Sequence, residues 1–282
     1  MIAIEKLSLS KGKTVILKNI DLSITQGDVV LLAGRNGAGK TTLLKCLLGI
    51  EKNYTGRIVF HTDSGRSIGY VPDYPALYDH LSAYDNLNIT RLYHGKPLAA
   101  VSEQLAKAGL AQDAHTKVKY FSAGMKKKLS IAAALICRPQ LLILDEPTNA
   151  LDPEAVIELR EHIAKLSREE KVTFLIATHL LEEINKIATQ LVLLKKGVVV
   201  FNEPRSTYGQ YKVIKGTVAE HLKDGLKDLL ASHQLKAKSD DHLTEILLPP
   251  TLTDEGQLGS LLTDITIRDA SIEDLFTFNH VG

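Results

Sequence analysis

The sequence predicts an α/β fold with a mixed central sheet, and three observations carry that expectation. Apolar runs recur at Val29–Ala33, Leu141–Leu144, Thr173–Ala177 and Leu191–Leu194. Uninterrupted runs of this kind suit parallel strands covered on both faces. A helical pattern over about Glu154 to Glu169 has the length of a crossover between two of them. A glycine-rich segment, Gly34 to Thr42, joins the first run to another helical pattern, Thr42 to Leu48.

The remaining elements follow in order. Residues 1 to about 33 alternate as antiparallel strands do, with Ile2/Ile4, Val15/Leu17 and Leu22/Ile24 as the apolar pairs. Arg57–Phe60 and Ser67–Val71 are two more short strand patterns. Together these predict an antiparallel β subdomain. From Pro72 to about residue 138 helical patterns dominate, with a turn at Gly95-Lys96-Pro97, and predict a helical subdomain over about 72–138. Pro204 to Gly209 reads as a linker. Beyond it, residues 211–282 predict a small α+β appendage. Its strands fall near Lys212–Lys215, Thr244–Leu248 and Asp264–Arg268, and its helices near Val218–Ser232, Asp254–Thr263 and Ser271–Phe276. Ser271-Ile272-Glu273-Asp274 has the form of a capping box.

Bulk properties narrow the class. The chain has 282 residues, a hydrophobic content of 44% and a formal net charge of +1 with both signs mixed, so nothing electrostatic points to nucleic acid. The longest apolar runs fall far short of the ~20 residues needed to cross a bilayer. Met1–Lys6 has no signal-peptide pattern. Cys46 and Cys137 lie inside apolar helical patterns, which predicts buried thiols in a reducing compartment.

The chemistry is concentrated in two motifs. Gly34-Arg35-Asn36-Gly37-Ala38-Gly39-Lys40-Thr41 fits a phosphate-binding loop between a strand and a helix. Its glycines let consecutive N–H groups curl inward, and the helix N-terminus adds partial positive charge. Lys40 supplies a full charge for the β- and γ-phosphates, and the Thr41 hydroxyl is a hard ligand suited to Mg²⁺. Arg35, Asn36, Gly37, Ala38, Gly39, Lys40, Thr41 and Thr42 are the candidate nucleotide-phosphate contacts; Arg35 either touches a phosphate or points to solvent. The second motif, Asp145-Glu146, ends an apolar strand, the sheet edge where α/β proteins bind ligands. Side chains alternate along a strand, so Asp145 can hold Mg²⁺ while Glu146 orients or deprotonates an attacking water.

Phe121-Ser122-Ala123-Gly124-Met125, Asn149-Ala150-Leu151-Asp152 and Ala177-Thr178-His179 complete a series in fixed order. The chain resembles the ATP-binding subunit of an ABC transporter over residues 1 to about 205. Phe121–Met125 is similar to that family's signature, Asn149–Asp152 to its D-loop and His179 to its switch histidine. The Met-Lys-Lys variant of the signature and the ending Ala270–Phe276 resemble the branch serving bacterial drug, antibiotic and bacteriocin exporters. The resemblance implies a P-loop NTPase cassette over residues 1–205 with an accessory domain over 211–282. It implies ATP and Mg²⁺ as cofactors, with Thr41, Asp73 and Asp145 around the metal and Glu146 and His179 as catalytic residues. It also implies pairing with a second cassette, homologous or identical, in which Ser122, Ala123 and Gly124 reach the opposite site and Asp152 lies in the D-loop. Membrane permease subunits complete the transporter, which places the chain in the cytoplasm, peripheral to the cell membrane. The implied direction is export. The alternative, a soluble family member acting on ribosomes or DNA, usually carries two cassettes, long coiled coils or zinc sites, and the sequence has none of these.

Four further features leave expectations to compare with the structure. Asp73 stands where the family usually has Gln, replacing a neutral ligand with a charged one. Lys11 stands where an aromatic usually stacks on adenine, so the base is covered by the lysine stem, by a cation–π contact, or by Val15 or Ile16 instead. Lys126-Lys127-Lys128 reads as a solvated helix face. Tyr74, Leu77, Tyr78, Leu81 and Tyr84 read either as core or as a groove for a helix of the membrane partner.

Overall fold

The computed structural model describes residues 2–60, 67–179, 181–240, 243–252, 258 and 260–280. Its N-terminal sheet is antiparallel and three-stranded, in the order β2 (Thr14–Ile24), β1 (Ile2–Lys11), β4 (Thr55–Phe60). The central sheet has six strands. β5 (Ile68–Val71), β6 (Leu141–Asp145), β7 (Thr173–Ala177), β3 (Val29–Ala33) and β8 (Gln190–Lys195) run parallel, and β9 (Val198–Pro204) closes the edge antiparallel to β8. The sheet is therefore mixed. β9 was not anticipated from the sequence, although its hairpin turn, Lys196-Gly197, has positive φ at both residues (46° and 78°), the geometry that matches strand twist.

Alternate side chains of the central strands enter two cores, as a pleat with both faces covered requires. Val30, Leu32, Ile143, Leu175 and Val192 pack toward the N-terminal sheet and α1 (Lys40–Leu47). Leu31, Leu142, Leu144, Phe174, Ile176, Leu191 and Leu193 pack toward the opposite side, against α5 (Pro153–Glu170) and α6 (Leu181–Asn185). The phosphate loop leaves β3, and Asp145 and Glu146 leave β6, at the same carboxyl edge. The sheet thereby brings together motifs more than 100 residues apart in sequence.

Between β5 and β6 lie α2 (Ala83–Tyr93), α3 (Ala99–Lys107) and α4 (Ala123–Leu135). They close on their own core of Leu87, Val101, Leu105, Val118, Leu129 and Ile136. Among the described residues of these helices, only α4 also enters the central core, through Ile131 and Leu135.

The C-terminal region departs most from expectation. Pro204–Gly209 is not an extended linker: Arg205–Tyr208 forms a short helix, α7, whose Tyr208 is 4% exposed and donates to Asn185 Oδ1 at 2.7 Å. The chain then forms β10 (Lys212–Thr217), α8 (Lys223–Ser232), β11 (Lys236–Asp240) and β12 (Leu243–Leu248). Helical residues 258, 260 and 261 and β13 (Thr263–Asp269) follow. The sheet order β11-β12-β10-β13, all antiparallel, is the split βαββαβ arrangement. The helix expected near Asp254–Thr263 lies largely outside the described residues. One face of this sheet, with Ile214, Ile246 and Leu248, closes its own small core. The other face, with Val213 and Leu247, meets Ile272, Leu275 and Phe278 of the terminal helix (Ile272–His280), and all five join the central core.

A candidate nucleotide site

The phosphate loop follows five fully buried residues of β3, so its start is fixed by the sheet. Gly37 and Gly39 have φ of 79° and 108°, a backbone that side chains rarely adopt. A Cβ on Gly39 would come within 2.9 Å of Leu17 Cδ2, so the loop turns tightly beneath β2. Lys40 opens α1; its ammonium is buried and donates to Gly34 O at 2.6 Å, closing the loop on itself. The β8–β9 turn supports the loop from behind. Gly197 N donates to Ala38 O (2.9 Å), and Lys18 N donates to Gly197 O (2.8 Å).

An open cavity of about 490 Å³ forms over this loop. It is lined by Ile16, the whole segment Arg35–Thr42, Asp73, Asp145 and Glu146. Larger or comparable hollows lie elsewhere, but this one gathers the predicted phosphate and carboxylate groups. Glu146 has a positive φ of 45° and is anchored by its N–H to Ala177 O at 2.7 Å. Its Oε2 accepts from the backbone N of His179 (3.2 Å) and lies 2.9 Å from His179 Nδ1. The Glu146 side chain is mostly covered, whereas His179 is about half exposed. Burial pushes the Asp145 carboxyl up from its usual range; the Tyr70 hydroxyl, donating to Oδ2 at 3.3 Å, opposes this. Asp73 Oδ1 accepts from Asn149 Nδ2 at 3.1 Å, tying the loop after β5 to the loop after β6.

Thr41, Asp73 and Asp145, the residues expected around a metal, thus share the cavity with Lys40. Among the described residues no three or more carboxylate, histidine or cysteine side chains converge on one point. The donor set is sparse and oxygen-only. That suits Mg²⁺, which keeps waters and takes one or two protein ligands plus phosphate oxygens, and does not suit an all-protein cage.

Other predicted residues are placed elsewhere. Ser122 is the N-cap of α4 and accepts from Met125 N at 3.2 Å; Ser122 and Ala123 are exposed and outside the cavity. Gly124 lies against α5, where a Cβ would meet Ala155 Cβ at 3.1 Å. Asp152 is the N-cap of α5, accepting from Ala155 N at 2.8 Å, with Pro153 in the first turn. Lys11 does not line the cavity; its ammonium is 3.5 Å from Glu51 Oε2, and Ile16 occupies the wall near the loop. Tyr74 and Tyr78 are exposed, whereas Leu77 and Tyr84 pack on the helical core. Cys46 is buried and its thiol is pushed up to about 11, first by burial; Cys137 is only half-buried.

A further expectation is overturned. Of the three lysines read as a solvated face, Lys126 pairs with Asp79 (2.9 Å) and Lys128 with Glu158 (2.5 Å), but Lys127 is 2% exposed. Its ammonium donates to Asp73 O at 2.8 Å and Pro72 O at 3.4 Å. Three consecutive helical residues point some 200° around the axis, so one of them turned inward. Tyr70 was also missed, because its partner Asp145 is 75 residues away and becomes a neighbour only through β5–β6 pairing.

Residues 17–149 match the family model described as ABC transporter. The chain is 39% identical to the lantibiotic transport ATP-binding protein SrtF of Streptococcus pyogenes, over 72% of this chain and 90% of that protein. The chain belongs to the ABC transporter ATP-binding family. As a member, it is the ATP-binding, ATP-hydrolysing subunit of a transporter, and its fold is the α/β P-loop NTPase fold. The bacitracin transport ATP-binding protein BcrA of Bacillus licheniformis is 31% identical over 94% of this chain and 92% of its own. That coverage takes the likeness past the cassette into the C-terminal region. Among solved structures, cbiO1 from Clostridium perfringens, part of the ABC transporter complex cbiONQ, aligns with a TM-score of 0.67. It is 29% identical, over 72% of this chain and 88% of its own.

Proposed function

We propose that this ABC subunit energises export of an antibiotic or antibiotic-like peptide through separate permease subunits on the cytoplasmic side of the cell membrane. The observation that carries the ATPase half is the single cavity holding Lys40, Thr41, Asp145 and Glu146, with His179 bonded to Glu146. Lys40 and the inward N–H groups of the loop hold the β- and γ-phosphates. Thr41 and Asp145 would hold Mg²⁺, with Asp73 nearby, and a bound ion would supply positive charge to the phosphates. Glu146 accepts the proton of the water that attacks the γ-phosphate. His179 fixes the rotamer of that carboxylate and faces the same phosphate. Ser122 and Ala123, exposed at the start of α4, are available to the nucleotide of a second cassette, since a helix N-terminus with a hydroxyl suits an anion. The antibiotic cargo and the direction of transport rest on the likeness to SrtF and BcrA. No helix among the described residues is long and apolar enough to cross a membrane. The assignment of the transport path to a partner chain rests on the likeness to SrtF and BcrA, which are named as ATP-binding proteins of transport. Exposed Tyr74, Tyr78, Leu92 and Tyr93 on the helical subdomain provide an apolar surface for that partner.

The test is reconstitution. Membranes carrying the tagged chain should yield a co-purifying integral membrane protein, and the complex in vesicles should hydrolyse ATP faster with a lantibiotic or bacitracin present. Stimulation by unrelated small nutrients, with none by either antibiotic, would contradict the cargo class and leave the ATPase intact.

A further inference from the structure

We infer that Lys127 is a positioning residue that ties the loop carrying Asp73 to the helix that presents Ser122; the inference rests on the nucleotide site proposed above. A lysine at 2% exposure needs a reason. Taking an ammonium out of water is costly, and an apolar side chain of similar length fills such a place at equal or better stability. Packing alone therefore favours methionine or leucine here. The ammonium instead donates to two consecutive carbonyls, Pro72 O and Asp73 O. Burial pushes the Lys127 ammonium's pKa down, and the negative charges of Asp73 and Asp145, both of which line the nucleotide cavity, partly oppose this.

The same residue lies on α4, five positions after its N-cap Ser122. A helix is stiff over that length, about 7.5 Å. A shift of Asp73 on nucleotide binding is transmitted through the two hydrogen bonds to α4 and displaces Ser122 with it. Asp73 belongs to the chain's own site, whereas Ser122 is proposed to serve the site of a second cassette. Lys127 thus gives the dimer a direct mechanical link between its two nucleotides.

The test uses the full chain with Lys127→Met and Lys127→Gln. Methionine keeps length and packing but donates nothing; glutamine donates an N–H again without the charge. Nucleotide affinity, melting temperature, steady-state ATP turnover and its Hill coefficient are measured for each. The expected result for Lys127→Met is affinity within about two-fold of the parent, a preserved melting transition, kcat reduced at least ten-fold and a Hill coefficient near one. Lys127→Gln should recover most of the lost kcat. Unchanged kcat and cooperativity in Lys127→Met would overturn the inference and leave the nucleotide site standing. Loss of activity matched by loss of folded protein, without recovery in glutamine, would also overturn it and make Lys127 merely structural. A parent chain that binds no nucleotide would overturn the site and the inference together.

Discussion

The helical subdomain and the C-terminal domain are both attached to one central sheet, but by different physics. The C-terminal domain is joined through oil: Val213, Leu247, Ile272, Leu275 and Phe278 belong to the same buried cluster as Leu191, Leu193 and Ile184. The helical subdomain keeps its apolar residues for its own core and shares only the α4 seam at Ile131 and Leu135. Its remaining ties near the nucleotide are polar: Lys127 to Pro72 and Asp73, and Asn149 to Asp73. A continuous apolar core moves as one body, because separating it exposes area at roughly 25 cal/mol per Å². A few hydrogen bonds of about 1 kcal/mol each can be exchanged for others when a ligand arrives. The comparison predicts a fixed C-terminal domain and a helical subdomain that responds to nucleotide.

The largest expected effect comes from breaking the apolar seam. Phe278 is 3% exposed, with the Lys238 ammonium 3.9 Å from its ring centroid. Phe278→Ala should cost about 3–5 kcal/mol of stability, typical of a buried aromatic truncation. Chemical denaturation of the whole chain measures this. A loss under 1 kcal/mol would mean that the two regions are not one cooperative unit.

Breaking the polar seam should act on function instead. Asp73→Asn keeps a carbonyl but removes the charge, and it should cost little stability. The Mg²⁺ concentration for half-maximal ATP turnover should rise several-fold. An unchanged Mg²⁺ dependence would remove Asp73 from the metal site and leave its side chain as a partner of Asn149.

Acid should separate the seams more gently. His162, on α5 and electrostatically opposed by Lys128 of α4, has its pKa pushed down to about 4, first by burial and then by that lysine. The unfolded chain takes up this proton near pH 6.5 and the folded chain does not. Stability is therefore lost as pH falls from about 6.5 to 4. Asp274 in the C-terminal domain is held at about 2, chiefly by its hydrogen bonds with Arg268. Its contribution is complete above pH 4 and fades only as pH falls toward 2. A melting-temperature profile should show the first loss in the His162 window, and His162→Gln should flatten it. A profile flat from pH 6.5 to 4 would contradict the assignment.

The same contrast explains what the sequence disclosed. The convergence of Gly34–Thr41, Asp145-Glu146 and His179 on one sheet edge was legible because each lies in a contiguous segment at the end of an apolar strand. The capping box at Ser271 was legible for the same local reason; Asp274 N donates to Ser271 Oγ at 3.1 Å. Lys127 was misread because the carbonyls that justify its burial are 54 and 55 residues away. Strand β11, Lys-Ala-Lys-Ser-Asp, has too little apolar alternation to announce itself and exists through pairing with β12. The terminal helix, expected near Ser271–Phe276, runs on to His280 and so includes Phe278, and nothing local announced what Ile272, Leu275 and Phe278 would meet. Lys11 illustrates the limit of counting positions: the cavity wall near the loop holds Ile16, and Lys11 turns to Glu51.

The central claim is that Glu146, held by His179 beside Asp145, is the base that drives ATP hydrolysis. The direct measurement is single-turnover ATP cleavage by Glu146→Gln at saturating ATP and Mg²⁺. The account predicts unchanged ATP affinity, a hydrolysis rate lower by about 10²–10⁴, as loss of a general base implies, and accumulation of ATP-bound dimer. Cleavage within a few-fold of the parent rate would contradict it.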